Sequence, residues 1–291
     1  MNIVVREVDL DTALSALLLG FSKEDRVAKR ETEATPEDLA DSSVFCIECG
    51  GSGDVAHGNF DHHDPARDLP SACVQAWQAA LAAGRPFDAQ LQRLVDYVSI
   101  LDTQGPLGFS EHGPAPRSPY PTLSTVFSGM RTLNPDAKEQ LLKGTAILRT
   151  VLERGIDPFG TMPDLPEWRP YVEAKANAAA LLREAMKQAH FFSTRTGRRA
   201  GTLSTTAPGA LGALYARGCE IALAQSPGSI PRTWKYTIGA TYGLDVSSLL
   251  PILHRLEQGW GGACSGTIIG SPHRGSRITL DHLCAIVTEA L

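Results

Sequence analysis

The sequence has few cysteines, few aromatic residues and no long apolar run. Its 291 residues include six cysteines, at positions 46, 49, 73, 219, 264 and 284, which are too sparse for a disulfide framework. No apolar run approaches the roughly 18 residues that a membrane helix needs. The first residues lack the basic and then apolar pattern of a signal peptide, so we expect a cytoplasmic chain with no membrane partner.

Charge and aromatic content limit the classes of ligand. Aromatic residues make up 7% of the chain, and no aromatic cluster accompanies a basic stripe of the kind that binds long nucleic acids. Residues 1–120 carry 9 Lys and Arg against 19 Asp and Glu, whereas residues 121–291 carry 18 against 13. The first part therefore suits cations and the second suits anions. A drift of surface charge along the chain is the alternative interpretation.

Side chains that bind metals are concentrated in residues 59 to 65, which contain Asp61, His62, His63 and Asp64. A neutral imidazole nitrogen and anionic carboxylate oxygens together suit a divalent cation such as manganese, iron or zinc. Adjacent histidines also occur at surfaces, in caps and in buried hydrogen bonds. The surrounding sequence has to decide between these two interpretations.

Three more acids follow a short apolar run at the start of the chain. Residues 3 to 5 predict a strand, which leads into Glu7, Asp9 and Asp11 and then into a helix ended by Gly20. The spacing of two places these acids on one side of an extended segment, where like charges repel unless a cation neutralises them. A helix cap at Asp11 or Thr12 is the alternative interpretation, and it would account for one acid but not for three.

Glu48 and Asp102 also stand at the ends of predicted elements. Glu48 follows the strand-like residues 44 to 47, and Asp102 follows residues 91 to 101, whose pattern fits a helix or a strand. An α/β domain gathers side chains that follow separate elements at one edge of its sheet, where ligands bind. We therefore expect these acids to lie near His62.

Cys46 and Cys49 form a C-x-x-C pattern, which is typical of a redox pair or of half a zinc site. The sequence contains no second pair of this kind, and the pattern overlaps a predicted strand. We therefore interpret both as buried thiols.

Together these residues resemble the motifs of the DHH phosphoesterase superfamily. This superfamily includes RecJ-like exonucleases, oligoribonucleases, cyclic-dinucleotide phosphodiesterases and family II pyrophosphatases. Residues 7 to 11 resemble its first motif, residues 61 to 63 are its third motif unchanged, and Asp102 resembles the aspartate of its fourth. Glu48 stands where the second-motif aspartate would fall, 13 residues before Asp61, as in the related melanocyte-proliferating-gene family. The matches span the first 105 residues or so.

The resemblance implies a centre of two Mn²⁺ ions, with Mg²⁺, Fe²⁺ or Co²⁺ as alternatives. The implied metal ligands are Glu7, Asp9, Asp11, Glu48, His62 and Asp102. Asp11 and Glu48 would bridge the ions, and His63 would be the catalytic residue that faces the substrate. The glutamates at positions 7 and 48 depart from the family, because each places its carboxylate differently from the usual ligand.

The predicted architecture is α/β and has three parts. Residues 1–115 would form a DHH-type domain with a mainly parallel sheet flanked by helices. Residues 116–195, which begin with several prolines, would form a helical connector. Residues 196–291 would form a smaller α/β domain that resembles the DHH-associated C-terminal domain.

Glycines near the end of the chain resemble the substrate-binding motif of that C-terminal domain. Glycines let backbone amides approach an anion, and arginines nearby supply charge. The predicted substrate-binding residues are Gly261, Gly262, Arg199 and Arg274. Ala263 replaces the histidine of the motif, and His273 is a candidate substitute. A glycine turn that leads into an apolar strand is the alternative interpretation.

The resemblance therefore implies a metal-dependent phosphoesterase, in which cations activate a water and hold the phosphoryl oxygens. The expected substrate is a phosphodiester in a small nucleotide or in a short single-stranded oligonucleotide. The alternative is a catalytically weak protein of the same fold that binds a nucleotide or a metal as a sensor or scaffold. The sequence leaves open whether the chain forms a homodimer.

Overall fold

The chain folds into two compact units. The computed structural model describes residues 1–31, 33–64, 66–104, 121–241, 243–262, 266–272 and 274–291. Contacts divide the chain into an N-terminal unit, Met1–Lys175, and a C-terminal unit, Ala176–Leu291. Each unit combines helices with a β-sheet, which confirms the predicted α/β class. The predicted boundary at 115 and 116 lies outside the described residues.

The sheet of the N-terminal unit has four strands, all of them parallel. The strands are β1 (Asn2–Val5), β2 (Arg26–Lys29), β3 (Val44–Ile47) and β4 (Asn59–Phe60), in the order β2-β1-β3-β4. The apolar residues of β1 and β3 are almost all buried, as expected for a parallel sheet covered by helices. Because the strands are parallel, their carboxyl ends meet at a single edge.

Helices cover this sheet and complete the core of the N-terminal unit. They are α1 (Leu10–Leu18), α2 (Pro36–Ala40), α3 (Ala72–Ala82), α4 (Ala89–Gln104), α5 (Leu123–Leu133), α6 (Ala137–Glu153) and α7 (Arg169–Ala185), which continues into the C-terminal unit. Leu14, Trp77, Leu94 and Leu148 from four of them belong to the same buried cluster. Helices α5 and α6, from the predicted connector region, thus share the core of the first unit.

Residues 21 to 43 contain structure that the sequence pattern does not predict. We expect a charged surface excursion there, with a short helix after Pro36, and α2 confirms the helix. The same segment also supplies strand β2, whose sequence is Arg-Val-Ala-Lys. Two apolar residues between charged ones give no strand signal, and the pairing with β1 forms the edge of the sheet.

The C-terminal unit has a six-stranded mixed sheet. Its strands are β5 (His190–Ser193), β6 (Arg199–Ser204), β7 (Ile221–Pro227), β8 (Trp234–Ala240), β9 (Gly261–Gly262) and β10 (Ile268–Gly270), in the order β5-β6-β7-β8-β10-β9. Its helices are α8 (Ala210–Tyr215), α9 (Leu250–Leu256) and α10 (Leu280–Ala290). Only β6 and β7 are parallel. In the described parts of both units, no helix is long and apolar enough to cross a bilayer.

Candidate metal centre

The acids and histidines of the N-terminal unit follow the strands of its parallel sheet. Residues 7 to 11 come after β1, Glu48 comes after β3, and residues 61 to 63 come after β4. Since the carboxyl ends of parallel strands lie at one edge, separate segments of the chain deliver these side chains to the same place. Asp102 reaches the same place from the last turn of α4.

Four of these side chains form a compact group, which we call the metal cluster. It consists of Asp11, Glu48, His62 and Asp102, each offering one ligand atom within 4.8 Å of the others. His62 Nε2 lies 3.0 Å from Asp102 Oδ2 and 3.5 Å from Glu48 Oε2. Neighbouring ligands of an octahedral ion with bonds of ~2.1 Å are about 3.0 Å apart, so this spacing fits a small divalent cation.

Three atoms of the metal cluster lack a hydrogen-bond partner among the described residues. They are Glu48 Oε1, His62 Nε2 and Asp102 Oδ2, and all three are buried. His62 Nε2 and Asp102 Oδ2 are close, but they are not in hydrogen-bond geometry. Buried polar atoms without a partner are costly, and a bound ion is one of the few things that satisfies them. These residues therefore fit a divalent cation.

The carboxylates of the metal cluster repel one another. Burial, followed by the charges of Glu48, Asp102 and Asp9, raises the pKa of Asp11 well above its usual range. Asp11 is also held in place by the start of α3, where it accepts hydrogen bonds from the backbone N–H groups of Ala72 and Cys73, each at 2.8 Å. A divalent cation would offset the repulsion between these acids.

Neighbouring carboxylates also change the protonation of His62. Asp102 and then Glu48 raise the pKa of His62 to about 10. The imidazole is therefore protonated at neutral pH when no cation is bound. Because a histidine ligand must be neutral, a cation that binds here displaces this proton.

Glu48 occupies an unusual backbone conformation. Its φ angle of +59° lies in the left-handed region, which few residues other than glycine adopt. The side chain is only 6% exposed, and burial raises the pKa of its carboxyl group. Its backbone N–H donates to Phe60 O at 3.0 Å, which ties the end of β3 to β4. Strained backbone of this kind concentrates at functional sites, where the surrounding structure holds it.

His63 lies beside the metal cluster and is oriented by Asp61. His63 Nδ1 is 2.7 Å from Asp61 Oδ1, and the backbone N–H of His63 donates to the same oxygen at 2.9 Å. The other Asp61 oxygen accepts from Gly51 N at 2.6 Å. Burial opposes the charge of Asp61, but these hydrogen bonds outweigh it and lower the pKa of Asp61 to about 2. The side chain of His63 is 42% exposed, unlike those of the cluster.

Asp9 lies near the cluster but has a partner of its own. Its side chain caps α1 by accepting from Thr12 N at 2.9 Å. Burial, opposed by this hydrogen bond, raises the pKa of Asp9, and the charge of Asp102 adds to the effect. Asp9 shares a cavity of about 230 Å³ with two residues of the metal cluster, Asp11 and Asp102.

Glu7 is not brought into the metal cluster. Its side chain is 65% exposed and accepts a hydrogen bond from Arg131 Nη2 at 3.0 Å. Arg131, in the last turn of α5, also lines the cavity beside Asp9. The ligand roles of Glu7 and Asp9 remain predictions.

The predicted substrate-binding residues of the C-terminal unit do not form one group. Gly261 and Gly262 form β9 and pair with β10. Arg199 begins β6 and stacks over the ring of Phe191 at 5.3 Å. Three strands separate β6 from β9, which places Arg199 roughly 19 Å from these glycines across the sheet.

Arg274 follows β10, near the turn between β7 and β8. Its backbone oxygen accepts hydrogen bonds from Ser229 Oγ at 3.2 Å and Thr233 Oγ1 at 3.1 Å. Ala263 and His273 lie outside the described residues. The substrate-binding roles of all these residues remain predictions.

The two thiols of the C-x-x-C pattern are buried, as expected. Cys46 and Cys49 are 1% and 0% exposed, and Cys49 Sγ donates to Val4 O at 3.3 Å. A hydrogen bond between the two thiols, together with burial, raises the pKa of Cys49 far above its usual value. Both act as structural residues that flank Glu48 in the chain.

Sequence reasoning missed three features of this site. Asp61 was recognised as part of a motif, but its hydrogen bonds to His63 and Gly51 follow from the fold. Arg131 and Ser128, which line the cavity from α5, stand in an ordinary amphipathic helix. A basic residue in the last turn of a helix is too common a pattern to reveal such a role.

Comparisons with known proteins identify the fold. No protein-family model matches the sequence, and no curated protein matches it. Among solved structures, the pGpG-specific phosphodiesterase PggH from Vibrio cholerae is similar over 99% of this chain and 97% of its own, with a TM-score of 0.59 and 16% identity. A structure described as the DHH domain of a member of a family of ribosomal proteins is similar over 98% of this chain and 85% of its own, with a TM-score of 0.57 and 13% identity.

These likenesses confirm the predicted α/β fold, which this chain shares with both structures. The metal cluster stands on this fold, at the edge where the parallel strands β1, β3 and β4 end. At 13 to 16% identity the likeness concerns architecture, so the activity has to be argued from the site itself.

Proposed function

We propose that this protein is a divalent-metal-dependent phosphodiesterase that acts on a small nucleotide or a short single-stranded oligonucleotide. The observation that supports this most is that Glu48, His62 and Asp102 of the metal cluster each have a buried polar atom without a hydrogen-bond partner among the described residues. A similar fold carries the pGpG-specific phosphodiesterase activity of PggH, so pGpG is the first substrate to test.

Mn²⁺ is the cation that we propose. Asp11, Glu48 and Asp102 offer three hard carboxylates and His62 offers one imidazole, a mixture that suits Mn²⁺ and leaves Fe²⁺, Co²⁺ and Mg²⁺ as alternatives. When bound, the cation would supply Lewis acidity, which makes a water more nucleophilic and offsets charge on the phosphoryl oxygens.

The residues around the cluster would then share the remaining tasks. In hydrolysis a water oxygen bonds to the phosphorus and releases a proton to solvent, the bond to the leaving oxygen breaks, and that oxygen takes up a proton. His63 is the residue that we propose as the donor, since Asp61 holds its Nδ1 and leaves Nε2 for the substrate. The two hydrogen bonds to Asp61 Oδ1 fix the orientation of the His63 ring for this role.

The test is hydrolysis of pGpG with and without Mn²⁺, together with metal analysis of the purified protein. We expect Mn²⁺-dependent release of GMP, and its loss in the His62→Ala variant. Bound Mn²⁺ without turnover of pGpG, of a short oligonucleotide or of bis(p-nitrophenyl) phosphate would instead support the sensor or scaffold. Absence of both metal and turnover would contradict the proposal.

A further inference from the structure

Arg131, which lines the cavity beside the metal cluster, forms an ion pair with Glu7. Arg131 Nη2 donates to Glu7 Oε2 at 3.0 Å, and the Glu7 side chain is 65% exposed while that of Arg131 is 35% exposed. The carboxylate of Glu7, a predicted metal ligand, is therefore paired with the guanidinium of Arg131. This pair stands at the position where the family motif begins.

The four residues of the metal cluster provide ligands for one ion. A second group among the described residues, Glu48, His62 and His63, could also hold a metal ion. It shares Glu48 and His62 with the metal cluster, and the Nδ1 atom of His63 already faces Asp61 at 2.7 Å, so a second ion there would have few ligands of its own.

Two other predicted ligands, Glu7 and Asp9, are engaged with protein groups. One oxygen of Asp9 accepts from Thr12 N at 2.9 Å, and Glu7 is paired with Arg131. Among the described residues, neither is a member of a group of ligand atoms that could hold a metal.

The cavity needs a positive charge if it is to hold a phosphate. It measures about 230 Å³ and is bordered by three carboxylates, those of Asp9, Asp11 and Asp102. Arg131 is the cationic residue in the described lining, next to the hydroxyl-bearing Ser128. A guanidinium binds phosphate oxygens through two parallel N–H groups, and it remains charged at every physiological pH.

Lys175 brings a second positive charge to Ser128, a residue of the cavity lining. Its Nζ donates to Ser128 Oγ at 2.9 Å. Ser128 lies one turn before Arg131 on α5, so the hydroxyl and the guanidinium face the same side of the helix.

We propose that Arg131 binds a phosphate group of the nucleotide substrate and that the chain holds one divalent cation instead of two. This inference rests on the proposed function. Glu7 is the counter-ion of Arg131 in the free protein, and the substrate phosphate replaces it. Arg131 then supplies to the phosphoryl group the positive charge that a second metal ion would otherwise supply.

The test uses Mn²⁺ alone and then inorganic phosphate as probes of the purified full-length chain. Calorimetric titration gives the number of Mn²⁺ ions per chain, and a second titration gives the affinity of the Mn²⁺-loaded protein for phosphate. The variants are Arg131→Ala and Glu7→Gln. Arg154→Ala is the matched control, because Arg154 is another exposed arginine paired with a glutamate, Glu167, at 3.1 Å.

We expect one Mn²⁺ per chain in the wild type and in all three variants. Arg131→Ala should weaken phosphate binding by about 10-fold or more and raise the KM for pGpG, because a charge-assisted contact is lost. Glu7→Gln should tighten phosphate binding several-fold, because Arg131 loses its competing partner. Arg154→Ala should leave both affinities unchanged.

Two Mn²⁺ ions in the wild type, with one lost in Glu7→Gln, would overturn the inference. Unchanged phosphate affinity in Arg131→Ala would do the same. If either result accompanies Mn²⁺-dependent hydrolysis of pGpG, only this inference fails. A wild type that neither binds Mn²⁺ nor hydrolyses pGpG contradicts the proposed function and this inference with it.

Discussion

Asp61 Oδ1 lies 2.7 Å from His63 Nδ1, and the same oxygen also accepts the backbone N–H of His63. One buried carboxylate therefore fixes both the ring and the main chain of the residue beside the metal cluster. No hydrogen bond among the described residues joins the Asp61 side chain to the side chain of His62 or of Asp102. Its contribution to the proposed reaction would act through His63, which makes it a positioning residue.

Replacing Asp61 by asparagine should separate proton transfer from metal binding. The amide keeps one oxygen for Gly51 N or His63 N but loses the second oxygen, so it no longer fixes both the loop and the His63 ring. We expect kcat for pGpG hydrolysis to fall by about 100-fold, with the KM and the Mn²⁺ content unchanged. Asp64→Asn is the matched control, since Asp64 is paired with Arg67 in the same segment. Loss of Mn²⁺ from Asp61→Asn would contradict this role.

Replacing His62 should weaken metal binding directly. His62→Ala removes the only nitrogen ligand of the metal cluster and leaves three carboxylates that repel one another. We expect the affinity for Mn²⁺, measured by calorimetric titration, to fall by more than the 10 to 100-fold typical of residues that only support a ligand. His57→Ala is the control, because His57 is an exposed histidine paired with Asp54 at 2.9 Å. If His62→Ala and His57→Ala bind Mn²⁺ with equal affinity, His62 is not a metal ligand.

The carboxylate of Glu48 should lower the stability of the metal-free protein and raise that of the metal-bound protein. Burial and the charges of Asp9 and Asp102 disfavour its ionised form. Glu48→Gln should therefore raise the melting temperature of the metal-free protein by a few degrees, on the order of 1 kcal/mol. It should also abolish most of the further rise that Mn²⁺ produces in the wild type. If the metal-free variant melts at a lower temperature than the metal-free wild type, the charge of Glu48 does not destabilise the protein, and this prediction is wrong.

The ion pair of Arg30 and Asp38 predicts a pH dependence of stability far from the site. Arg30 lowers the pKa of Asp38 to about 2, with hydrogen bonds of 2.7 and 2.8 Å. A lowered pKa means that the stabilisation is complete above the unfolded value near 3.8 and is lost as the pH falls through about 2. Asp38→Asn should lower the free energy of unfolding by about 1 to 2 kcal/mol at pH 7. Urea titrations should show that this difference shrinks between pH 4 and pH 2, and a constant difference would contradict the assignment.

The sequence predicts the part of the fold that depends on strong local patterns. Strand β3 coincides with the apolar residues 44 to 47, and Gly20, with φ of +87°, follows the end of α1. The apolar pattern of residues 91 to 101 fits either a helix or a strand. In the structure they form helix α4, which packs against α1 and α3. Strand β2 is stabilised by pairing with β1, so its own residues carry little signal.

The sequence predicts the residues of the candidate site whose chemistry and spacing both indicate a metal site. It does not predict the contacts that depend on the tertiary structure. Asp11, Glu48, His62 and Asp102 meet because parallel strands end at one edge and α4 returns to it. The sequence could not show that Glu7 faces Arg131, since the two are 124 residues apart in the chain. The separation of Arg199 from Gly261 likewise follows from strand order in a mixed sheet, which local patterns do not determine.

The measurement that tests the central claim most directly is an anomalous difference map from crystals grown with Mn²⁺ and measured at the manganese absorption edge. We predict a peak within about 2.0 to 2.3 Å of ligand atoms from Asp11, Glu48, His62 and Asp102. A map without a peak among these four residues, at saturating Mn²⁺, would contradict the account.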